Sequence, residues 1–221
     1  MYLIYSLVLV IALAIICTKT IREHSKTFYG VATIMTVSVT IYEILRLTSN
    51  YKLEGFLNDL ERVFMKGNVA ISFFVLVMFA GALNKRWKVT RKLLSIRAEM
   101  AIIGSILIIP HCIMYAIRFL VKLSDGKAIS VLYITYLIIG LIAFIIMIPL
   151  FITSFKKVRA KMRFKKWKTI QKMAYPFYLL VYIHIVIVLF NGKELDWLKL
   201  ISYTILFGGY FILKLINENK N

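Results

Sequence analysis

Long apolar runs, each carrying few charges, recur along this chain of 221 residues and decide what it can fold into. They lie at about 2–18, 28–46, 68–84, 98–121, 129–155, 173–191 and 197–216. Each can cover roughly 30 Å of hydrocarbon at about 1.5 Å of rise per residue. Lipid offers a backbone no hydrogen-bond partners, so every run is expected to be a helix. The predicted fold is all-α: a polytopic membrane helix bundle of about seven transmembrane helices. The first run, "YLIYSLVLVIALAIIC", lacks a basic flank and a small-residue cleavage site, and it reads as a retained helix.

The formal net charge of +19 does not point to nucleic acid. The basic residues sit in short stretches between apolar runs, as membrane topology requires. Nine Lys and Arg occupy 156–172, five occupy 85–92 and three occupy 19–27; Lys214 and Lys220 lie near the C-terminus. The alternate loops hold fewer, among them Arg46, Lys52, Arg62, Lys66, Lys122, Lys127, Lys193 and Lys199, and they hold most of the acids. The positive-inside rule then places the N-terminus outside and the C-terminus in the cytoplasm of a cell that carries the chain in its plasma membrane. Residues 1–67 supply two helices and an outer segment, and 68–221 the remaining helices, integrated into one membrane domain.

Residues 51–67 space Leu53, Phe56, Leu57, Leu60, Val63 and Phe64 as one helical face. That pattern predicts an amphipathic helix on the outer interface. Trp87, Trp167 and Trp197 fall at run ends, where an interfacial belt wants them. Cys17 and Cys112 form no metal-binding or haem-attachment spacing.

Two histidines stand inside apolar runs. His111 lies eleven residues beyond Met100, and His184 eleven beyond Met173. Both runs lead outward, so both imidazoles sit about 17 Å from the inner boundary, slightly past the midplane. Such residues are functional candidates by default. Two structural histidines, each bonded to a carbonyl or hydroxyl, are the plain reading. Proton handling is another, although the mid-membrane offers only Glu43 as a carboxylate, on a different helix. A zinc site needs more ligands than this zone contains. Neutral imidazoles on facing helices also suit iron, and two of them would hold one low-spin haem b. Gly104, seven residues before His111, leaves room on the same face, and Arg118, seven after it, is placed for a haem propionate. Pro110 should kink the helix beside the ligand.

The strings "IRAEMAIIGSILIIPHCIMYAIRFL", "GLIAFIIMIPLFITSFKKVR" and "FKKWKTIQKMAYPFYLLVYIHIVI" resemble consecutive helices of the ferric reductase-like transmembrane domain family. Its members include eukaryotic iron reductases, NADPH oxidases and the haem subunit of a bacterial methionine sulfoxide reductase system. The resemblance covers roughly 68–216, with Thr153 and Ser154 at the expected helix end; the first helix looks like an addition to a six-helix core. Two-haem relatives carry a second histidine 13 or 14 residues before each outer one. Those positions are Arg97 and Gln171 here. A protonated guanidinium does not ligate iron. The resemblance therefore implies one haem at His111 and His184, and an inner site that is unfilled or adapted by Arg97 and Gln171 to a flavin or quinone headgroup.

No GxGxxG, P-loop or soluble nucleotide module accompanies these helices. The expected role is the membrane electron-transfer subunit of an oxidoreductase. Electrons would come from a cytoplasmic flavoprotein or the quinol pool and pass to an extracytoplasmic acceptor. A haem-free protein of the same fold, either a proton-coupled transporter or an assembly factor, is the competing expectation.

Overall fold

The computed structural model describes residues 2–49, 52–192 and 194–218; Lys193 and Lys220, counted above for topology, and Tyr51 lie outside the described residues. Among the described residues 85% are helical and none is in a strand. The helices are α1 (Tyr2–Ile16), α2 (Thr18–Glu23), α3 (Ser25–Thr48), α4 (Gly55–Met65), α5 (Asn68–Ala82), α6 (Lys88–Ser95) and α7 (Arg97–Leu107). They continue as α8 (Ile109–Ser124), α9 (Val131–Ser154), α10 (Lys156–Ala160), α11 (Phe164–Lys172), α12 (Ala174–Phe190) and α13 (Trp197–Glu218).

Among the described residues, five stretches are long and apolar enough to cross a bilayer: Ser25–Thr48, Arg97–Ser124, Val131–Ser154, Phe164–Phe190 and Trp197–Asn217. The pair α4 and α5, bent by 49°, makes a sixth if it counts as one broken span. Seven apolar runs thus become five or six spans. The reason is length: α1 and α5 have 15 residues each. That is about 22 Å of helix, short of a hydrocarbon core of roughly 30 Å. The chain is a multi-pass, all-α membrane protein.

Proline sets the main interior break. The run expected over 98–121 is two helices, α7 and α8, that meet at Ile108 with Pro110 in the first turn of α8. Pro110 has no N–H to give the carbonyl of Ile106. The Thr36 hydroxyl of α3 donates to that carbonyl instead, at 3.0 Å. A residue thus supplied from another helix lets the break sit in a buried place.

The chain divides into two compact units, one comprising residues up to Ala80 with Lys85–Asp125, the other Gly81–Asn84 with Gly126 onward. In the first unit α3 packs along α7 and α8, and α4 closes on α1, α3 and α8. Its core gathers Phe73, Val75, Met100, Ile102 and Met114. The amphipathic segment is the helix α4. It buries Glu61, Phe64 and Met65 and leaves Phe56, Leu57 and Leu60 exposed. Its apolar residues therefore serve two surfaces, one against the protein and one outward.

In the second unit α9 and α12 form the main pairing, and α10 and α11 pack against α9. Tyr178 of α12 stacks on Phe207 of α13 with ring centroids 4.3 Å apart. Trp167 and Gln171 of α11 hold the end of α9: the indole N–H donates to the Thr153 carbonyl at 3.2 Å, and the Gln171 amide donates to the Thr153 hydroxyl at 2.9 Å.

Candidate functional site

His111 stands in the first turn of α8, where its Nδ1 meets the carbonyl oxygen of Met65 at 2.8 Å. Met65 ends α4, and terminal carbonyls of a helix lack intrahelical donors. A carbonyl only accepts, so Nδ1 carries a proton; in the neutral ring the lone pair then belongs to Nε2. The corner that brings Met65 to the ring depends on Gly67, whose φ is +71°. A side chain there would be strained, and its Cβ would lie 2.9 Å from Ile108 Cδ1 and 3.8 Å from His111 Nδ1. Tyr115, one turn on, tilts against the imidazole at 4.6 Å.

His184 repeats the arrangement in the second unit. Its Nδ1 lies 2.8 Å from the carbonyl oxygen of Tyr136 on α9. The Tyr136 ring meets the imidazole edge-on, with centroids 5.8 Å apart. The close approach needs Gly140: a Cβ there would sit 3.0 Å from both Cε1 and Nδ1 of His184. Both rings are part-buried.

The two histidines share one chemistry. Each donates through Nδ1 to a backbone carbonyl and presents Nε2 as the basic nitrogen. Metal-ligating imidazoles characteristically use this pattern, because the second bond fixes tautomer and orientation and raises basicity. The donor set suits ligation of haem iron; a side chain at Gly140 would crowd the His184 ring, whereas one at Gly67 would crowd Ile108 beside His111.

The other sequence-derived residues have different surroundings. Gly104 faces α5, and a Cβ there would lie 3.0 Å from Phe73 Cβ and 3.4 Å from the Ala70 carbonyl oxygen. Its missing side chain permits helix packing. Arg118 donates to the Glu43 carboxylate of α3. Arg97 Nε donates to the Val77 carbonyl at 2.9 Å. Gln171 has the Thr153 partner described above. Sequence reasoning passed over Gly67, Gly140 and the meeting of Glu43, Arg46, Glu61 and Arg118. Glu43 inside an apolar run, with Arg46 three residues on, was the one signal for that group.

A model of the family described as "Ferric reductase like transmembrane component" matches residues 66–182, more than half of the chain. The protein belongs to that family. It is also 28% identical over 217 residues to an uncharacterized protein of Treponema pallidum (strain Nichols). That alignment takes in 96% of this chain and 59% of the relative, so the chain spans well under two thirds of the relative's length.

Proposed function

We propose that the protein is a haem b-binding membrane electron-transfer protein, with His111 and His184 as the axial ligands of one haem. The observation that carries the proposal is the matched anchoring of the two imidazoles, each 2.8 Å from a backbone carbonyl through Nδ1. Family membership supports it, as does the equal depth of the two histidines in their runs.

A haem iron with two imidazole ligands carries one electron by cycling between ferric and ferrous states. The chain's own contribution is to fix both ligands. Met65 and Tyr136 hold the tautomers, and Gly140 admits the His184 ring, so the backbone sets the orientation and basicity of both imidazoles. Arg118 would meet a propionate only by exchanging its bond to Glu43. Arg97 and Gln171 would likewise serve a flavin or quinone headgroup by giving up the Val77 and Thr153 bonds.

The basic 156–172 segment faces the cytoplasm in this reading, with the N-terminus outside and the plasma membrane as the site of action. Electrons enter from a cytoplasmic flavoprotein or quinol and leave to an extracytoplasmic acceptor. The test uses purified protein in sealed vesicles with ferricyanide trapped inside and a quinol outside. Trapped ferricyanide should be reduced with wild type, and the rate should fall to that of empty vesicles with His111→Ala or His184→Ala. Equal rates for all three proteins would overturn the reading.

A further inference from the structure

Four ionisable side chains of the first unit converge away from the proposed ligands: Glu43 and Arg46 on α3, Glu61 on α4, and Arg118 on α8. The Glu43 side chain is 0% exposed and receives both guanidinium groups, Arg46 at 2.9 Å and Arg118 in direct contact. Glu61 is left differently placed. Its side chain is 5% exposed, and its nearest cation, Arg46 Nη1, is 3.9 Å away. Neither Glu61 oxygen has a hydrogen-bond partner. Arg46 links the two acids, with Nη2 2.9 Å from Glu43 Oε1 and Nη1 3.9 Å from Glu61 Oε2.

An ionised carboxylate in this position would be buried without a hydrogen bond, next to a second carboxylate that already holds both cations. That is costly. One proton removes the difficulty. As a neutral acid, Glu61 gains an O–H donor, and each oxygen of the neighbouring Glu43 carboxylate has more than one acceptor lone pair. Other charged or titratable groups on the elements packed here include Tyr2 of α1, whose hydroxyl donates to Asp59 of α4 at 2.8 Å, Arg62, the residue after Glu61 on α4, Tyr42 of α3, whose hydroxyl accepts from the Leu53 N–H at 2.9 Å, and Lys66, over the Tyr2 ring at 5.9 Å. Tyr115 of α8 lies under the Arg118 guanidinium at 5.4 Å.

Glu61 also sits one turn before Met65 on α4, and Met65 holds His111. Arg118 lies two turns beyond His111 on α8. Charge placed beside His111 is thus linked to Glu61 through the Met65 carbonyl and one turn of α4.

We infer that Glu61, paired with Glu43, is a proton-binding site whose occupancy is coupled to the electron held at His111. The coupling rests on the haem reading above; the proton site does not. The Arg46 guanidinium, 3.9 Å from Glu61, keeps part of the oxidised population ionised; in that part, one electron arriving beside His111 draws one proton from water onto a Glu61 oxygen, forming an O–H bond. Reoxidation by the acceptor breaks that bond and returns the proton to water. The titration belongs to the carboxyl pair as a unit.

The test is infrared difference spectroscopy of the lipid-reconstituted protein, reduced with dithionite minus oxidised, alongside spectroscopic redox titration at several pH values. The variants are Glu61→Gln, which keeps the volume, and Glu61→Asp, which keeps the acid. In wild type a carbonyl band of a protonated carboxyl should appear on reduction, and the midpoint potential should fall as pH rises. Glu61→Gln should lose both signals while remaining a monodisperse, haem-loaded protein. Glu61→Asp should restore them, with the band shifted. A band and pH dependence that survive Glu61→Gln, or a wild type with neither, would overturn the coupling. If wild type binds no haem, the haem reading fails separately. A static pH titration of the same band then decides the proton site: loss in Glu61→Gln supports it, and no Glu61-dependent band overturns it.

Discussion

Gly140→Ala is the smallest change that reaches the ligand geometry. The added methyl carbon would lie 3.0 Å from His184 Cε1 and Nδ1, whereas unstrained contacts between carbons fall at about 3.5–4.0 Å. The ring must therefore retreat by roughly 0.5 Å or more. If it moves away from α9, the 2.8 Å bond to the Tyr136 carbonyl lengthens towards the outer limit of a hydrogen bond. A neutral hydrogen bond contributes about 1 kcal/mol net, and loss of an outer-shell partner lowers metal affinity about 10- to 100-fold. Haem affinity should fall about tenfold, the lower end of that range, because the bond is stretched and not deleted. Alanine is otherwise favoured over glycine inside a helix by roughly 0.5–1 kcal/mol, so the loss should come without destabilisation of α9. The assay is haem titration of protein expressed under haem limitation, followed by the Soret band. Gly30→Ala and Gly208→Ala are the controls, because a Cβ at either position meets nothing within 4 Å. If Gly140→Ala binds haem as tightly as these controls, with an unchanged spectrum, the seat of His184 on α9 is not the ligand geometry.

Three further outcomes are expected. Glu43→Ala leaves two guanidinium groups facing a buried gap. Breaking a fully buried pair costs about 3–5 kcal/mol, and part exposure of both arginines reduces this to about 2 kcal/mol, measurable by denaturant unfolding in detergent. Thr36→Val deprives the Ile106 carbonyl of its donor beside the α7–α8 break and should cost about 1–3 kcal/mol in the same assay. Asp196 precedes α13 and accepts from the Lys199 backbone N–H at 3.0 Å. The Lys199 ammonium beside it holds its carboxyl below the usual carboxylate range. A depressed folded value means the cap's contribution is present above the unfolded value and lost only as pH falls through the lowered one. Asp196→Asn should therefore abolish the acid-dependent part of amide-exchange protection at the start of α13, while leaving protection at neutral pH nearly unchanged.

Apolar run length made the helical, multi-pass architecture legible, and the string around His111 and His184 was enough to place the chain in its family. The count of spans was less legible. Hydropathy does not tell whether the 15-residue α5, which starts just past the Gly67 corner, crosses by itself or together with α4 as one broken span. Both histidines could be found from their rarity in apolar runs, but their carbonyl partners could not. Met65 and Tyr136 contribute backbone atoms, and any residue type has a carbonyl. Arg118 shows the opposite limit. Its position seven residues after His111 suggested a propionate, whereas Glu43 of a distant segment takes the guanidinium. Gly104 and Gly140 look alike as letters. Only packing separates a glycine that admits α5 from one that admits an imidazole.

The most direct test is the absorption spectrum and haem content of the detergent-purified protein, oxidised and dithionite-reduced, for wild type, His111→Ala and His184→Ala. The account predicts about one haem b per chain in wild type, with the sharp reduced bands of a low-spin bis-imidazole centre. Both variants should lose that spectrum. A wild type that stays colourless after haem-supplemented expression, or a spectrum that survives both substitutions, would contradict it.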